Sequence, residues 1–430
     1  MVLIMAFNFL VGFTDIYVAG LINPEIQAAI GFIGQLYFLI IIIANAISIG
    51  TLAMVSRAFG AGDLEKTVDI ARQSLLFSIL AAIGLTVFGL LFSRAILTIA
   101  GVPEEIKDMA EKFFRIFAFA LGPNYVLIIS NAVFRAVGDM KKPLFTMFLV
   151  SAINIAGDFL LVFGVFGFDG LGYIGIAIST ALSMTIGTII NLVFFASGRW
   201  RNIYQGPLKI SADAARKITV LSWPAVLLQI AWSAGSIVLY NILGRLGDKS
   251  VTAIASISNG LRIEAVIYLP AFALNMAAAV LVGQNLGAGN PDRAEKAVWK
   301  IASIGVVFVS LLSLPVFLWA EQFASLLTKD PAVLEETARY LRINMLSEPF
   351  MALGAILSGG LQGAGDTKRT MHVIVIAMWF VRLPLAYYLA LELNYGATGV
   401  WVAMITSMSL QGMLMAWKFR QGRWKKLKVD

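Results

Sequence analysis

Apolar stretches long enough to cross a bilayer recur along almost the whole chain, and they leave little room for another kind of fold. A spanning helix needs about 20 consecutive, mostly apolar residues. The 430 residues are 59% hydrophobic and 13% charged, whereas a soluble domain carries about 25% charged residues. Short strands of alternating polarity, which a transmembrane barrel requires, are not found in the sequence. The sequence therefore predicts an all-α polytopic membrane protein.

Twelve candidate spans are separated by polar breaks that are too short to build an independent core. They cover residues 1–22, 29–56, 67–98, 106–135, 143–166, 171–198, 215–244, 251–283, 292–319, 333–362, 369–392 and 396–419. An even number of spans places both termini on the same side of the membrane.

The loops at the two ends of these spans differ in their basic residues. One set, which includes the C-terminal tail, holds 19 Lys and Arg residues, and the opposite set holds 8. Basic loops stay on the cytoplasmic side, so we expect both termini to be cytoplasmic in a multi-pass protein of the inner cell membrane. The tail contributes Lys418, Arg420, Arg423, Lys425, Lys426 and Lys428. The net charge of +8 thus indicates orientation, and no nucleic-acid partner is expected.

The two halves of the chain repeat each other. Gly60-Ala61-Gly62 follows span 2 and recurs after span 8 as Gly287-Ala288-Gly289, an offset of 227 in the numbering. Gly138-Asp139 recurs at the same offset as Gly365-Asp366, and Gly172 and Gly175 recur at an offset of 224 as Gly396 and Gly399. Six spans in each half give both halves the same orientation, the parallel-repeat arrangement in which a substrate cavity lies between two lobes.

The repeat predicts three parts. Residues 1–198 form an N-terminal six-helix lobe, residues 199–214 form a basic cytoplasmic linker, and residues 215–430 form a C-terminal six-helix lobe with the basic tail.

Two carboxylates lie inside apolar segments of the first lobe. Asp15 is in span 1, and Asp158 is in span 5, one helical turn from Asn154. An ionised side chain in mid-bilayer costs about 2.5–3.5 kcal/mol on insertion scales. Two carboxylates in a dry cavity cannot easily both ionise, because desolvation and mutual repulsion favour a retained proton. The pair predicts proton or cation handling, and the alternative is a static, hydrogen-bonded polar cluster.

The repeat supplies an internal control for this pair. At the 227 offset, Asp158, Asp15 and Asn154 correspond to Leu385, Ile242 and Val381, and at the 224 offset Asp158 and Asn154 correspond to Arg382 and Met378. With either offset the second lobe lacks the acidic pair, so the fold itself does not require it.

The second lobe has its own candidate ionic residues, Arg262 and Glu264 on span 8, Glu348 on span 10 and Arg382 on span 11. Unpaired charges are costly in a membrane, so pairing is expected. The opposite signs are consistent with either a structural ion pair or a second coupling site. Tyr37, on span 2, is a candidate for the wall of the substrate cavity.

Several classes of protein are disfavoured by composition. The chain has no Cys and a single His, which excludes thiolate catalysis and Cys- or His-rich metal sites. It has no Ser/His/Asp or zinc-type motif, so a membrane-embedded enzyme is disfavoured. A passive channel would need pore-lining charge in both halves. We expect no resident metal or cofactor.

Five motifs, in this order, resemble those of the multidrug and toxic compound extrusion (MATE) transporters. They are TDIYVAGL at Thr14–Leu21, SRAFGAGD at Ser56–Asp63, FRAVGD at Phe134–Asp139, GQNLGAGN at Gly283–Asn290 and LQGAGDTKR at Leu361–Arg369. The resemblance covers essentially the whole chain. It implies two six-helix lobes that alternate access and export bulky, often cationic compounds against a proton or sodium gradient.

Within this family the acidic pair resembles that of the proton-coupled, DinF-like branch. There an Asp on helix 1 and an Asp on helix 5, with Asn residues on helices 4 and 5, form the coupling site. These positions match Asp15, Asp158, Asn131 and Asn154.

The chain departs from the family pattern at two points. The sodium-coupled branch tends to carry a Glu about eight residues after a proline in helix 7, and here the eighth residue after Pro224 is Trp232. Family members also have more sequence before this point, with a proline in helix 1. This chain has no proline before Pro24, so either its true start lies upstream or its first helix is shorter.

The sequence therefore predicts a monomeric secondary antiporter that exports cationic amphipathic compounds as protons enter. The alternatives are a Na⁺-coupled MATE exporter, in which Asp15 and Asp158 would ligate the ion, and a lipid-linked oligosaccharide flippase. A flippase is expected to have extra helices and a basic central cavity.

Overall fold

The computed structural model describes residues 1–164, 169–207 and 209–427, apart from the side chains of residues 24 and 28, and this part of the chain is helical without strands. The first half contains α1 (Val2–Ile22), α2 (Pro24–Gly60), α3 (Leu64–Leu91), α4 (Ser93–Ile99), α5 (Glu104–Ala136), α6 (Lys141–Phe163) and α7 (Tyr173–Phe195). The predicted end of span 5 at residues 165–166 and the tail residue Lys428 lie outside the described residues.

The second half contains α8 (Ala212–Gly244), α9 (Ser250–Gly287), α10 (Pro291–Leu318), α11 (Ala320–Ser325), α12 (Pro331–Asn344), α13 (Glu348–Gly363), α14 (Thr367–Val375), α15 (Leu383–Tyr387) and α16 (Gly396–Arg420). Two π-helical segments, Ile376–Arg382 and Tyr388–Glu392, join α14 and α15 into one long helix that ends at Glu392. Short 3₁₀ segments are Gly198–Tyr204, Gly247–Lys249, Met345–Ser347 and Arg423–Lys426.

Among the described residues, eleven helices are long and apolar enough to cross a membrane. The remaining predicted span, residues 333–362, is formed by α12 and α13, which the 3₁₀ turn Met345–Ser347 interrupts. Proline lacks the N–H that a continuous helix would need, and Pro349 accordingly lies in the first turn of α13. The prediction of twelve spanning helices in two lobes of six is confirmed.

The chain divides into two compact units, Met1–Ser222 and Trp223–Asp430. The predicted linker lies in the first unit. The side chain of Gln73, on α3, binds two linker residues: it accepts a hydrogen bond from Ser211 N at 3.1 Å and donates one to Lys209 O at 3.3 Å. The boundary between the units thus falls within α8. The functional division at residues 199–214 stays a prediction.

Each unit ends its sixth spanning helix with the same short clasp, a Gly-Arg-Trp-basic sequence that packs back on the helix. The glycines, Gly198 and Gly422, have φ of 62° and 67°, a left-handed conformation that favours glycine. The tryptophans, Trp200 and Trp424, are fully buried. They pack against Phe195 and Phe419, with ring centroids 5.4 and 4.8 Å apart. All three pairs share the offset of 224 in the numbering, so the clasp is a further copy of the repeat that the sequence patterns did not reveal.

Candidate functional site

Asp15 faces the interior of the first lobe, near the middle of α1. Its side chain is 7% exposed and contacts hydrogen-bond donors from two other helices. Asn154 Nδ2, on α6, donates to Asp15 Oδ1 at 3.2 Å. The hydroxyl of Thr180, on α7, lies 3.2 Å from Oδ1 and 3.0 Å from Oδ2. Three helices therefore converge on one carboxylate.

Asp158 lies beside Asp15 and interacts with it electrostatically. It is fully buried on α6, one turn after Asn154. Neither of its carboxylate oxygens has a hydrogen-bond partner among the described residues. A buried carboxylate without donors is costly when ionised, which makes Asp158 a natural place to hold a proton.

The structure brings Asn154 to Asp15 but places Asn131 in a neighbouring group. Asn131 Oδ1 accepts a hydrogen bond from Asn191 Nδ2 at 2.9 Å, and the same amide donates to Ser130 at 2.7 Å. Thr146 donates to Asn191 Oδ1 at 2.7 Å. No hydrogen bond joins Asn131 to either aspartate within the described part of the chain, so its predicted supporting role would act through neighbouring side chains.

Tyr37 lies inside the first lobe, close enough to Asp15 to interact with it electrostatically. Its hydroxyl accepts a hydrogen bond from Asn124 Nδ2 at 2.8 Å and donates to Met184 Sδ at 3.7 Å. Its ring packs on Phe117, with centroids 4.7 Å apart. Tyr37 is thus part of the polar interior around the acidic pair, and its role in a substrate cavity stays a prediction.

The contribution of α7 was not predicted from the sequence. Thr180, Ser183 and Asn191 are buried polar residues in an apolar span, spaced by three and eight positions so that they lie on one helix face. Ser179, beside them, donates to the Asn154 backbone oxygen at 2.8 Å. Their shared helix face was the sequence signal that could have indicated this contribution. Without that periodicity, small hydroxyl residues in a span are easily assigned to helix packing.

The second lobe holds a different buried cluster. Glu264 and Glu348 are each 1% exposed, and Arg382 is 3% exposed. Tyr268 donates a hydrogen bond to Glu264 Oε2 at 2.8 Å. The prediction that Arg262 is one of the buried charges is wrong, because Arg262 is exposed on α9. Successive residues of a helix point in different directions, and the neighbour that faces inward here is Glu264, two positions on.

Comparisons with known proteins identify the fold family. The family model MatE matches residues 1–160 and 224–388, most of both lobes. The chain belongs to the MATE family. It is a membrane transporter, and the prediction that it is not an enzyme is confirmed.

Curated relatives of this MATE transporter match it along nearly its full length. A probable multidrug resistance protein NorM of Thermotoga maritima is 25% identical, and the alignment covers 98% of the chain and 90% of that protein. The probable multidrug resistance protein YoeA of Bacillus subtilis is 24% identical, with 95% and 88% covered.

Solved structures show the same fold. A crystal structure of MATE in the bent conformation superposes with a TM-score of 0.87 at 21% identity, and covers 98% of this chain and 92% of that one. A structure titled as the outward-facing conformation of a multidrug resistance MATE family transporter gives a TM-score of 0.86 with the same coverage of this chain. The expected two-lobe fold of this MATE transporter is confirmed.

Proposed function

We propose that this MATE transporter is a proton-driven exporter of small organic compounds, with Asp15 and Asp158 as the coupling pair. The observation that carries the proposal is the burial of two interacting carboxylates in one polar chamber without a basic partner among the described residues. Such a pair can take up and release a proton as its surroundings open and close. The DinF-like assignment rests on the same residues.

The energy available is sufficient for export. One proton that crosses 100 mV releases about 2.3 kcal/mol. At about 1.36 kcal/mol per factor of ten, this supports on the order of a 50-fold gradient of a neutral compound. We propose cationic amphipathic substrates, because the acidic chamber attracts positive charge, and a monomer in the inner membrane with both termini cytoplasmic. The relatives' names as multidrug resistance proteins support export of several compounds.

A second candidate is coupling to Na⁺ at the same place. Three buried oxygens of this chamber, Asn154 Oδ1 and both oxygens of Asp158, lack a hydrogen-bond partner among the described residues. Oxygens of this kind are ligands that hard cations prefer. Asp15 and Asp158 would then ligate the ion, and the substrate would still leave as the ion enters.

The test is export of a fluorescent cationic dye, ethidium, from vesicles that contain the purified transporter, with pH and Na⁺ gradients imposed separately. We expect a pH gradient alone to drive export, and Asp15→Asn and Asp158→Asn to abolish it without loss of folded protein. Asp169→Asn, which removes an exposed carboxylate from the same lobe, is the matched control and should export normally.

Three outcomes separate the candidates. Undiminished pH-driven export by both asparagine variants would falsify the coupling assignment. Export that needs a Na⁺ gradient and ignores pH would favour the second candidate. Loss of export in Glu264→Gln or Glu348→Gln alone, with Asp15 and Asp158 dispensable, would place coupling in the second lobe.

A further inference from the structure

The second lobe contains two buried carboxylates, on different helices, that lie close enough to interact electrostatically. Glu264 lies on α9, and Glu348 is the first residue of α13. The two carboxylates repel each other electrostatically. Tyr268 donates to Glu264 at 2.8 Å, but Glu348 Oε2 is buried without a hydrogen-bond partner among the described residues. On its own, this acidic pair resembles a cation-binding site.

A cation is already present in the same cluster. Arg382 is buried and lies close enough to Glu264 to attract it electrostatically. Its Nε donates to Ser407 Oγ at 2.8 Å, and its guanidinium lies 5.8 Å from the ring centre of Trp232. No direct ion pair joins this guanidinium to either glutamate among the described residues. The arginine is therefore held by other side chains and acts on Glu264 through space.

Contacts inside each lobe show which residues correspond. On the fifth spanning helix of the first lobe, Ser151 donates to the oxygen of Phe7 at 2.7 Å. Trp379, at an offset of 228 from Ser151, donates to the oxygen of Ala231 at 3.0 Å. Gly175 packs on the backbone of Leu161, and its repeat partner Gly399 packs on that of Leu389, which again lies at an offset of 228 from Leu161.

An offset of 228 on this helix makes Arg382 the counterpart of Asn154. It also makes Ala386 the counterpart of Asp158, and the offset of 224 from Phe7 to Ala231 makes Leu239 the counterpart of Asp15. These pairs correct the correspondences expected from sequence offsets alone. The change of the offset from 227 to 228 along this helix has a physical cause. A π-helical turn inserts one extra residue, and Ile376–Arg382 is π-helical.

We propose that Arg382 is a resident cation that neutralises Glu264, beside Glu348, and thereby excludes soluble cations from the second lobe. Where the first lobe places the neutral amide of Asn154 beside its carboxylates, the second lobe places a permanent charge. A guanidinium cannot be deprotonated at ordinary pH, so Arg382 keeps its positive charge beside the acidic pair. Arg382 would therefore be a specificity-determining residue that confines ion coupling to the first lobe.

The test replaces Arg382 with the residue that the first lobe has at this position. Arg382→Asn is prepared on an Asp15→Asn background, so that Na⁺ binding in the first lobe does not contribute. Sodium chloride is titrated against choline chloride at constant ionic strength, and the unfolding temperature and tryptophan fluorescence are measured. Trp232 lies next to the guanidinium and is a local reporter.

We expect a Na⁺-specific rise in unfolding temperature and a fluorescence change in Arg382→Asn. Its apparent affinity for Na⁺ should be at least tenfold higher than that of the Asp15→Asn parent. Adding Glu264→Gln should remove the response. Arg382→Lys, which keeps the charge, and Arg262→Asn, which removes an exposed arginine from the same lobe, should behave like the parent.

Two results would overturn the proposal. One is a Na⁺ response of the parent that Glu264→Gln abolishes, since the acidic pair would then accept a soluble cation with Arg382 in place. The other is a folded Arg382→Asn or Arg382→Gln protein that is insensitive to Na⁺. The parent measurement needs no arginine substitution, so the proposal can be rejected even when those variants do not fold. Neither result depends on whether Asp15 couples transport to protons.

Discussion

The hydroxyl of Thr180 lies within hydrogen-bonding distance of both carboxylate oxygens of Asp15, at 3.0 and 3.2 Å. Asn154 Nδ2 donates to the same hydroxyl at 3.0 Å and so occupies a lone pair of Thr180. The single hydroxyl proton is then directed towards Asp15. This arrangement favours an ionised Asp15, and under the proposed coupling we expect Asp158 to be the proton-holding member of the pair.

Thr180→Val should weaken coupling more than it weakens the fold. The substitution keeps the shape but removes a donor to a buried carboxylate, a loss of about 1–3 kcal/mol. We expect pH-driven dye export to fall about tenfold or more. Thr180→Ser keeps the hydroxyl and should retain most of the activity. Equal export by the valine and serine variants, at equal amounts of folded protein, would contradict this role.

Tyr268→Phe should destabilise the second lobe. The tyrosine hydroxyl is the hydrogen-bond donor to Glu264 at 2.8 Å, and its removal leaves a buried carboxylate oxygen without that donor. The expected cost is about 1–3 kcal/mol, read as a lower unfolding temperature in detergent. Tyr388→Phe changes an exposed tyrosine of the same lobe and should have no effect. An unchanged unfolding temperature in Tyr268→Phe would show that Glu264 does not need this donor.

Much of the architecture could be predicted from sequence because it depends on composition and on loop motifs. Apolar length predicted the spans, and the recurrence of the glycine motifs predicted two similar lobes. The burial of Asp15, Asp158 and Asn154 was predictable because ionisable and amide side chains inside a span avoid lipid and face the interior of the bundle. The tenth span was predicted as one helix, but Pro349 divides it, since apolar content alone does not register a local break.

The composition of the second cluster could not be predicted in the same way. The offset of 227 paired Asn154 with Val381, whereas the extra residue of the π-helical segment makes Arg382 its counterpart. Whether a segment has α-helical or π-helical hydrogen bonds is not visible in its apolar pattern, because both geometries bury similar side chains. Arg262 was misassigned for a related reason, since it lies only two positions before the inward-facing Glu264 but points in a different direction.

Gly363→Ala should disrupt the packing of α13 on α9. A Cβ at Gly363 would lie 2.0 Å from the backbone oxygen of Ala279, and one at Gly359 would lie 2.1 Å from that of Asn275. Small residues four apart allow helix backbones to approach closely in membranes, and backbone atoms cannot move aside as a flexible side chain can. We expect a marked drop in folded yield and unfolding temperature.

Gly244→Ala is the control for this packing prediction, because a Cβ there would meet nothing within 4 Å. It should express and unfold like the parent. A Gly363→Ala protein of parental stability would mean that the two helices can separate without cost, and that their close approach is not required for the fold.

The C-terminal clasp predicts two separable effects. Trp424 is fully buried and its Nε1 donates to the oxygen of Phe419 at 2.8 Å, so Trp424→Ala should cost about 3–5 kcal/mol. Lys425 adds ion pairs to Asp292 at 2.7 Å and Glu295 at 2.6 Å, and hydrogen bonds to these carboxylates, Asp292 first, hold the pKa of Lys425 above its usual range. A raised lysine pKa stabilises the docked tail below the ordinary lysine range, and this contribution is lost only as the pH rises through the raised value.

At neutral pH the ion pairs of the clasp are therefore intact, and Lys425→Gln should release the tail without unfolding the lobe. We expect faster amide hydrogen exchange in residues 421–427 and little change elsewhere. High salt should reduce the difference between the parent and the variant, because exposed ion pairs are screened. Lys426→Gln removes a neighbouring exposed charge and should leave exchange unchanged. Equal acceleration by both lysine variants would assign the effect to general charge and not to the pairs with Asp292 and Glu295.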